Sequence, residues 1–222
     1  MTEIRRHFHE DLVDLHRDVG RLAALASESI QAATAAVLDF DLTGAQAVVD
    51  NDVLLDELTH DMEERVLLLL ARQQPMAKDL RELVTTLRVI HELERIGDLM
   101  VNVAKATRRL FPSPLEPRLR GLLDRMREQA TLQLRVASEA FAARDPARAR
   151  ALDDMDDVMD DLQKELFRAI FELGARDEAA VASAVQIALV GRYFERVADH
   201  AVNIGDRVTY MVTGEAPETS TG

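Results

Sequence analysis

Two acidic pairs in the chain have the spacing of a ligand set. Glu94 and Asp98 stand four residues apart, and Glu195 and Asp199 repeat that spacing. Asp52 with Asp56, and Asp156 with Asp160, add two further i,i+4 pairs. On an α-helix such residues share one face, one turn above the other. Each glutamate also falls on a line that is otherwise apolar: Leu80, Leu87, Glu94 and Val101, then Val181, Ala188, Glu195 and Val202. A line of residues seven apart drifts only about 20° per step. Both glutamates are therefore expected on an apolar seam.

That placement is costly. Like charges one turn apart cost a few tenths of a kcal/mol in an isolated helix. Carboxylates brought toward a core cost several kcal/mol each without partners. Protonation, the neighbouring Arg95 and Arg196, or bound cations would each relieve the cost. Oxygen-rich donors suit hard or borderline ions such as iron, zinc, magnesium or manganese rather than thiophilic copper. Single acidic pairs, such as Asp11 with Asp14 or Glu63 with Glu64, carry no such implication, since a solvated acidic face explains them. The repetition is what singles out Asp52, Asp56, Glu94, Asp98, Asp156, Asp160, Glu195 and Asp199 as candidate metal ligands, one set per half.

The elements that must position these acids are helices. Prolines cluster at 112, 114 and 117 and otherwise stand at 75, 146 and 217, leaving long stretches of helical period between them. The pattern predicts helices over about 3–39, 43–73, 76–110, 117–143, 146–173 and 178–212. Asp145-Pro146 is a start signal, with a capping side chain and a proline where no amide is needed. Gly174 suits a helix end. Rods of about 30 residues with short connections make antiparallel bundles.

The halves repeat. Leu93-Glu94-Arg95-Ile96-Gly97-Asp98 and Phe194-Glu195-Arg196-Val197-Ala198-Asp199 align at an offset of 101, as do Asn102 and Asn203. Val48, Asp52, Leu55, Asp56, Met62 and Val66 align with Leu152, Asp156, Met159, Asp160, Leu166 and Ile170 at an offset of 104. Three residues are thus missing from the second copy, at the turn 174–177 that answers 73–78. The expected fold is all-α, two tandem three-helix bundles, with units at 1–112 and 113–213 and a polar tail at 214–222.

Composition narrows the function. With no cysteine, disulfides, thiolate metal sites and cysteine nucleophiles are excluded. A net charge of −13 argues against wholesale binding of nucleic acid or an anionic bilayer. The longest apolar run, Val66 to Ala71, is six residues, too short for a membrane span. The charged N-terminus carries no secretion signal. No phosphate-binding glycine loop, dinucleotide fingerprint or Ser–His–Asp arrangement is present, so neither a catalytic residue nor an organic cofactor is expected. Glu57-x-x-His60 has the form of a di-iron bundle motif, but such sites need two, and Asp161 and Lys164 stand at the equivalent places.

Taken together, the duplicated E-R-x-x-D-x-x-x-N, the turn Arg72-Gln73-Gln74-Pro75 and the closing Val212-Thr213-Gly214-Glu215 resemble the PhoU family of bacterial phosphate-signalling proteins. The resemblance covers nearly the whole chain. It implies two tandem three-helix bundles with metal ions or clusters at the eight acids named above. It also implies a non-enzymatic, cytoplasmic negative regulator that joins a phosphate ABC importer to a sensor histidine kinase, and it suggests a homodimer. One departure stands out: the family often has Asp-His in both copies, and here the first copy reads Asp98-Leu99 where the second reads Asp199-His200. A ferritin-like di-metal oxidase and a purely structural bundle are the competing readings.

Overall fold

The computed structural model describes residues 3–73, 75–111, 115–174 and 177–215. It contains α1 (Glu3–Asp39), α2 (Leu42–Gln73), α3 (Lys78–Leu110), α4 (Pro117–Ala143), α5 (Pro146–Leu173) and α6 (Glu178–Thr213), with no strand among the described residues. The proline-rich segment 111–117 is expected to join the two units; its residues 112–114, parts of both short turns, and tail residues 216–222 lie outside the described residues.

Local chemistry explains the ends. Asp145 Oδ1 accepts from the Ala147 and Arg148 amides at 2.9 and 3.1 Å, capping α5 ahead of Pro146. Glu116 accepts from the Arg118 and Leu119 amides ahead of Pro117. Asp41 takes the Thr43 and Gly44 amides at 3.0 and 2.9 Å, which lets α2 begin at Leu42. In contrast, α3 starts two residues later than its periodicity implies, because Ala77 has a φ of 46° and cannot be helical.

Within each half, the third helix packs on both of its companions. Between halves, α1 meets α4 and α3 meets α6; α2 touches only α1 and α3, and α5 only α4 and α6. Four central helices are therefore flanked by α2 on one side and α5 on the other. The cross-half pairs are antiparallel. Thr85 near the start of α3 donates to the Arg207 carbonyl late in α6 at 3.4 Å, and Arg109 late in α3 donates to Gln186 early in α6 at 3.3 Å. Gln31 donates to Thr131 at 2.9 Å and accepts from Arg127 at 2.6 Å, joining α1 to α4. This is the geometry of a pseudo-twofold axis perpendicular to the helices.

One continuous core runs through both halves, with Leu15, Leu22, Ile30, Ile90, Ile96, Met100, Phe141 and Phe194 fully enclosed. A buried ion cluster crosses the halves. Glu82 on α3 meets His16 Nε2 of α1 at 2.9 Å and accepts from Arg144, which caps α4 in the left-handed region. His16 also stacks on Phe141 with ring centroids 4.7 Å apart.

The structure corrects the seam. The lines through Glu94 and Glu195 begin at exposed Leu80 and Val181 and reach the core only farther along. The enclosed stripe of α3 instead runs through Leu83, Ile90, Leu93, Ile96, Met100 and Val103. Over 33 residues the cumulative drift of a heptad line moves it across the boundary between core and solvent. Among the described residues, no helix is long and apolar enough to cross a membrane.

Candidate functional site

In the first half α2 brings Asp52 and Asp56 to the side of α3 that carries Glu94 and Asp98. The close approach depends on Gly97, where an added Cβ would stand 2.9 Å from Leu55 Cδ1 and 3.2 Å from Asp52 Oδ1. That Asp52 oxygen is buried and has no hydrogen-bond partner. Burial pushes the Asp52 carboxyl up to about 6, helped by the charges of Asp56 and Asp98, opposed by Lys105, and raised further by Glu94. Burial, Glu94 and Asp98 raise Asp56 as well. All four predicted acids therefore act on one another.

They are not all free. Arg95 Nη1 donates to Asp98 at 2.8 Å, and Glu94 lies 3.6 Å from His91 Nδ1, which also meets Glu63 at 3.2 Å. Arg95 thus compensates Asp98, while Asp52 and Asp56 hold a proton more tightly than ordinary carboxyls.

In the second half α5 and α6 place Asp156, Asp160 and Asp199 together. Asp156 is the repeat equivalent of Asp52 and has the same orphaned, buried Oδ1. Burial raises its carboxyl to about 6, and the Asp199 and Asp160 charges add to this. Burial also raises Asp199, against the lowering pull of Arg192 and His200. Glu195 departs from the pattern: it is buried, accepts from Arg192, and leaves its Oε2 without a partner.

The donor chemistry fits a hard cation: eight carboxylates in two sets, with unsatisfied oxygens at the matched positions Asp52 and Asp156. As placed, however, no three His, Cys, Asp or Glu side chains among the described residues form a closed ligand group. His60 is exposed. His200 binds across the halves instead, its Nδ1 2.7 Å from Glu92 on α3, with Asn203 donating to the same carboxylate oxygen at 3.4 Å. Its first-copy counterpart Leu99 is buried in apolar packing.

Arg192, Gln133, Lys105 and Glu92 belong to the surroundings of these sites and escape the sequence pattern. Arg192 is the one with a local signal, three residues before Glu195. Gln133 reaches the neighbourhood of Asp156 from α4, an approach only the packing reveals. Its repeat equivalent is Ser29, and there a groove of about 400 Å³ between α1 and α2 reaches Asp52. The two sites are therefore not identical: one opens on a groove, while a buried amide crowds the other.

A duplicated three-helix bundle with matched acidic pairs on its second and third helices in each half defines the class. The PhoU domain model matches twice, at residues 19–107 and 123–208, and the chain belongs to the PhoU family. It is 36% identical over 215 residues to the phosphate-specific transport system accessory protein PhoU homolog 1 of Mycobacterium tuberculosis, covering 96% of each chain. It is 31% identical over 217 residues to the PhoU homolog of Rhizobium meliloti, covering 98% of this chain and 92% of that one. The crystal structure of PhoU from Pseudomonas aeruginosa superposes with a TM-score of 0.87 at 28% identity, covering 94% of this chain and all of the other.

Proposed function

We propose that this chain is a regulatory accessory of bacterial phosphate transport that restrains phosphate uptake and the phosphate-starvation response when phosphate is ample. The observation that carries this reading is the match through both PhoU domains to proteins named as phosphate-specific transport accessories, over almost the full length of each. The protein acts through partners rather than by turnover, joining the phosphate ABC importer to a sensor histidine kinase from the cytoplasmic side, as a homodimer. Long helix faces supply extended docking surface for such partners.

The two acidic sets are proposed to hold metal ions. Asp52, Asp56, Glu94 and Asp98 would serve the first, and Asp156, Asp160, Glu195 and Asp199 the second. A bound cation would supply the positive charge that the orphaned oxygens of Asp52 and Asp156 lack. The residues themselves set where that charge is needed: Asp52 sits against Gly97 between α2 and α3, and the acids' repulsion tends to part those helices. The oxidase reading has no support from the second copy, where Lys164 pairs with Asp161 at 3.1 Å in place of a second carboxylate–histidine motif.

Gene deletion tests the regulatory role. In a host with no second copy, uptake and phosphate-starvation transcripts rise under replete conditions; unchanged levels of both refute it. Elemental analysis of protein purified without chelator tests the metal, and a metal-free preparation indifferent to added divalent ions removes that part alone.

A further inference from the structure

A polar cleft of about 390 Å³ opens between the halves, where α3 faces α6, and it is lined by Arg95, Asp98, Asn102 and Lys105 from α3 and Arg196 from α6. Three cations in one cleft are unexpected on a chain of net charge −13. Arg95 is engaged with Asp98. Lys105 and Arg196 make no ion pair among the described residues, although Asp52 and Asp199 feel their charge. Asn102 donates its side-chain amide to the Asp98 carbonyl at 3.0 Å, which holds it at the cleft wall.

The internal repeat provides a control within the same molecule. The offset of 101 carries Arg95 onto Arg196 and Asn102 onto Asn203, but carries Lys105 onto Asp206. On that side of the pseudo-twofold axis Glu92 is also present, held by His200 at 2.7 Å and Asn203 at 3.4 Å. The cleft thus has Lys105 where the repeat has an acid, Asp206, which neighbours Asp153 and Arg207 instead. The arginine and asparagine recur in register, whereas the ammonium of Lys105 belongs to the first copy alone.

We propose that the α3–α6 cleft binds a small phosphate-class oxyanion, with Arg95, Lys105 and Arg196 as its cationic contacts. Guanidinium forks match the tetrahedral oxygens of such an anion, and an ammonium adds a point charge. The net acidity of the chain does not oppose this strongly, because charges beyond about 8–10 Å are screened at physiological salt. Asp98 is the internal competitor: an incoming anion must displace it from Arg95. The cleft shares Asp98 with the first acidic set, so it is tested on chelator-treated protein, and it does not depend on the proposed regulatory function.

Isothermal titration calorimetry on the full chain, treated with chelator and at physiological ionic strength, tests it with inorganic phosphate and, in a second arm, glycerol phosphate. One saturable site per chain is expected. Lys105→Ala and Arg196→Ala should each weaken binding about tenfold or more, Lys105→Arg should restore most of it, and Asp98→Asn should tighten it severalfold by releasing Arg95. Arg135→Ala, an exposed change of equal charge on α4, should stay within about twofold. Far-ultraviolet circular dichroism confirms that each variant is folded. Binding of inorganic phosphate alone assigns the free anion, and binding of both probes assigns the phosphate group in either form. No saturable heat with either probe, or a loss with Arg135→Ala equal to that with Lys105→Ala, overturns the site.

Discussion

Replacing Asp52 and Asp156 together by asparagine should make the metal-free protein more stable, the reverse of what loss of a salt bridge would do. Both carboxyls ordinarily titrate at 3.8 and are raised to about 6 in the fold. A group raised in this way holds its proton more tightly when folded. Ionisation therefore opposes folding: stability falls as pH climbs from about 4 through 6, and the full cost remains at pH 7. That difference corresponds to about 3 kcal/mol per residue without screening. Both side chains are partly reached by solvent, which reduces it to about 1.5 kcal/mol each. Asparagine keeps the shape; Asp52 Oδ1 has no hydrogen bond to lose, and at Asp156 Gln133 opposes the rise only weakly. The sites lie in different halves, so the effects should add to about 3 kcal/mol. Urea denaturation in chelator from pH 4 to 8 reads this out. Wild-type stability should decline over that range and the double variant's should decline less, since Asp56 and Asp199 are still raised by burial. Added divalent metal should then stabilise wild type and leave the variant unmoved. A double variant less stable than wild type at pH 7.5 in chelator would show that these carboxylates are already compensated, and the reasoning would fail.

Three other perturbations probe the frame around the sites. Burial disfavours the Glu82 charge, but His16 and Arg144 overcome this and hold its carboxyl at about 2, so Glu82→Gln should cost about 3 kcal/mol at pH 7. That loss should vanish as pH falls from about 4.5 toward 2, which denaturant midpoints across this range would detect. Gly97→Ala should destabilise by about 1–2 kcal/mol despite alanine's better helix propensity, because the new methyl meets Leu55 at 2.9 Å; a thermal midpoint equal to or above wild type would refute the tight α2–α3 contact. Asp145→Ala should remove two capping hydrogen bonds and cost about 1 kcal/mol, read as a shift in urea midpoint with unchanged slope.

The helices and the duplication were legible because local chemistry writes them. Proline positions, the cap at Asp145, and the periodic apolar pairs Val48 with Leu152, Leu55 with Met159 and Met62 with Leu166 follow from chain-local geometry, and the structure buries all six. The acidic pairs were legible for the same reason, being fixed by a spacing of four residues. The heptad seam was misplaced because small angular errors add along a long helix. Leu69 and its counterpart Leu173 show the same limit: the first is buried and the second is 46% exposed.

The sequence by itself therefore determined six helices, a repeated three-helix unit and two families of carboxylates on chosen helix faces. Tertiary structure decided what each carboxylate meets. It left an oxygen of Asp52 and of Asp156 bare, brought Lys105 near Asp52, and set His200 against Glu92 across the halves. It also assembled the cleft of Arg95, Lys105 and Arg196 from two helices that are far apart in the chain. The physical reason is range: spacing along a helix fixes direction to within a face, whereas charge, burial and hydrogen bonding depend on distances of a few ångströms between helices, which only packing sets.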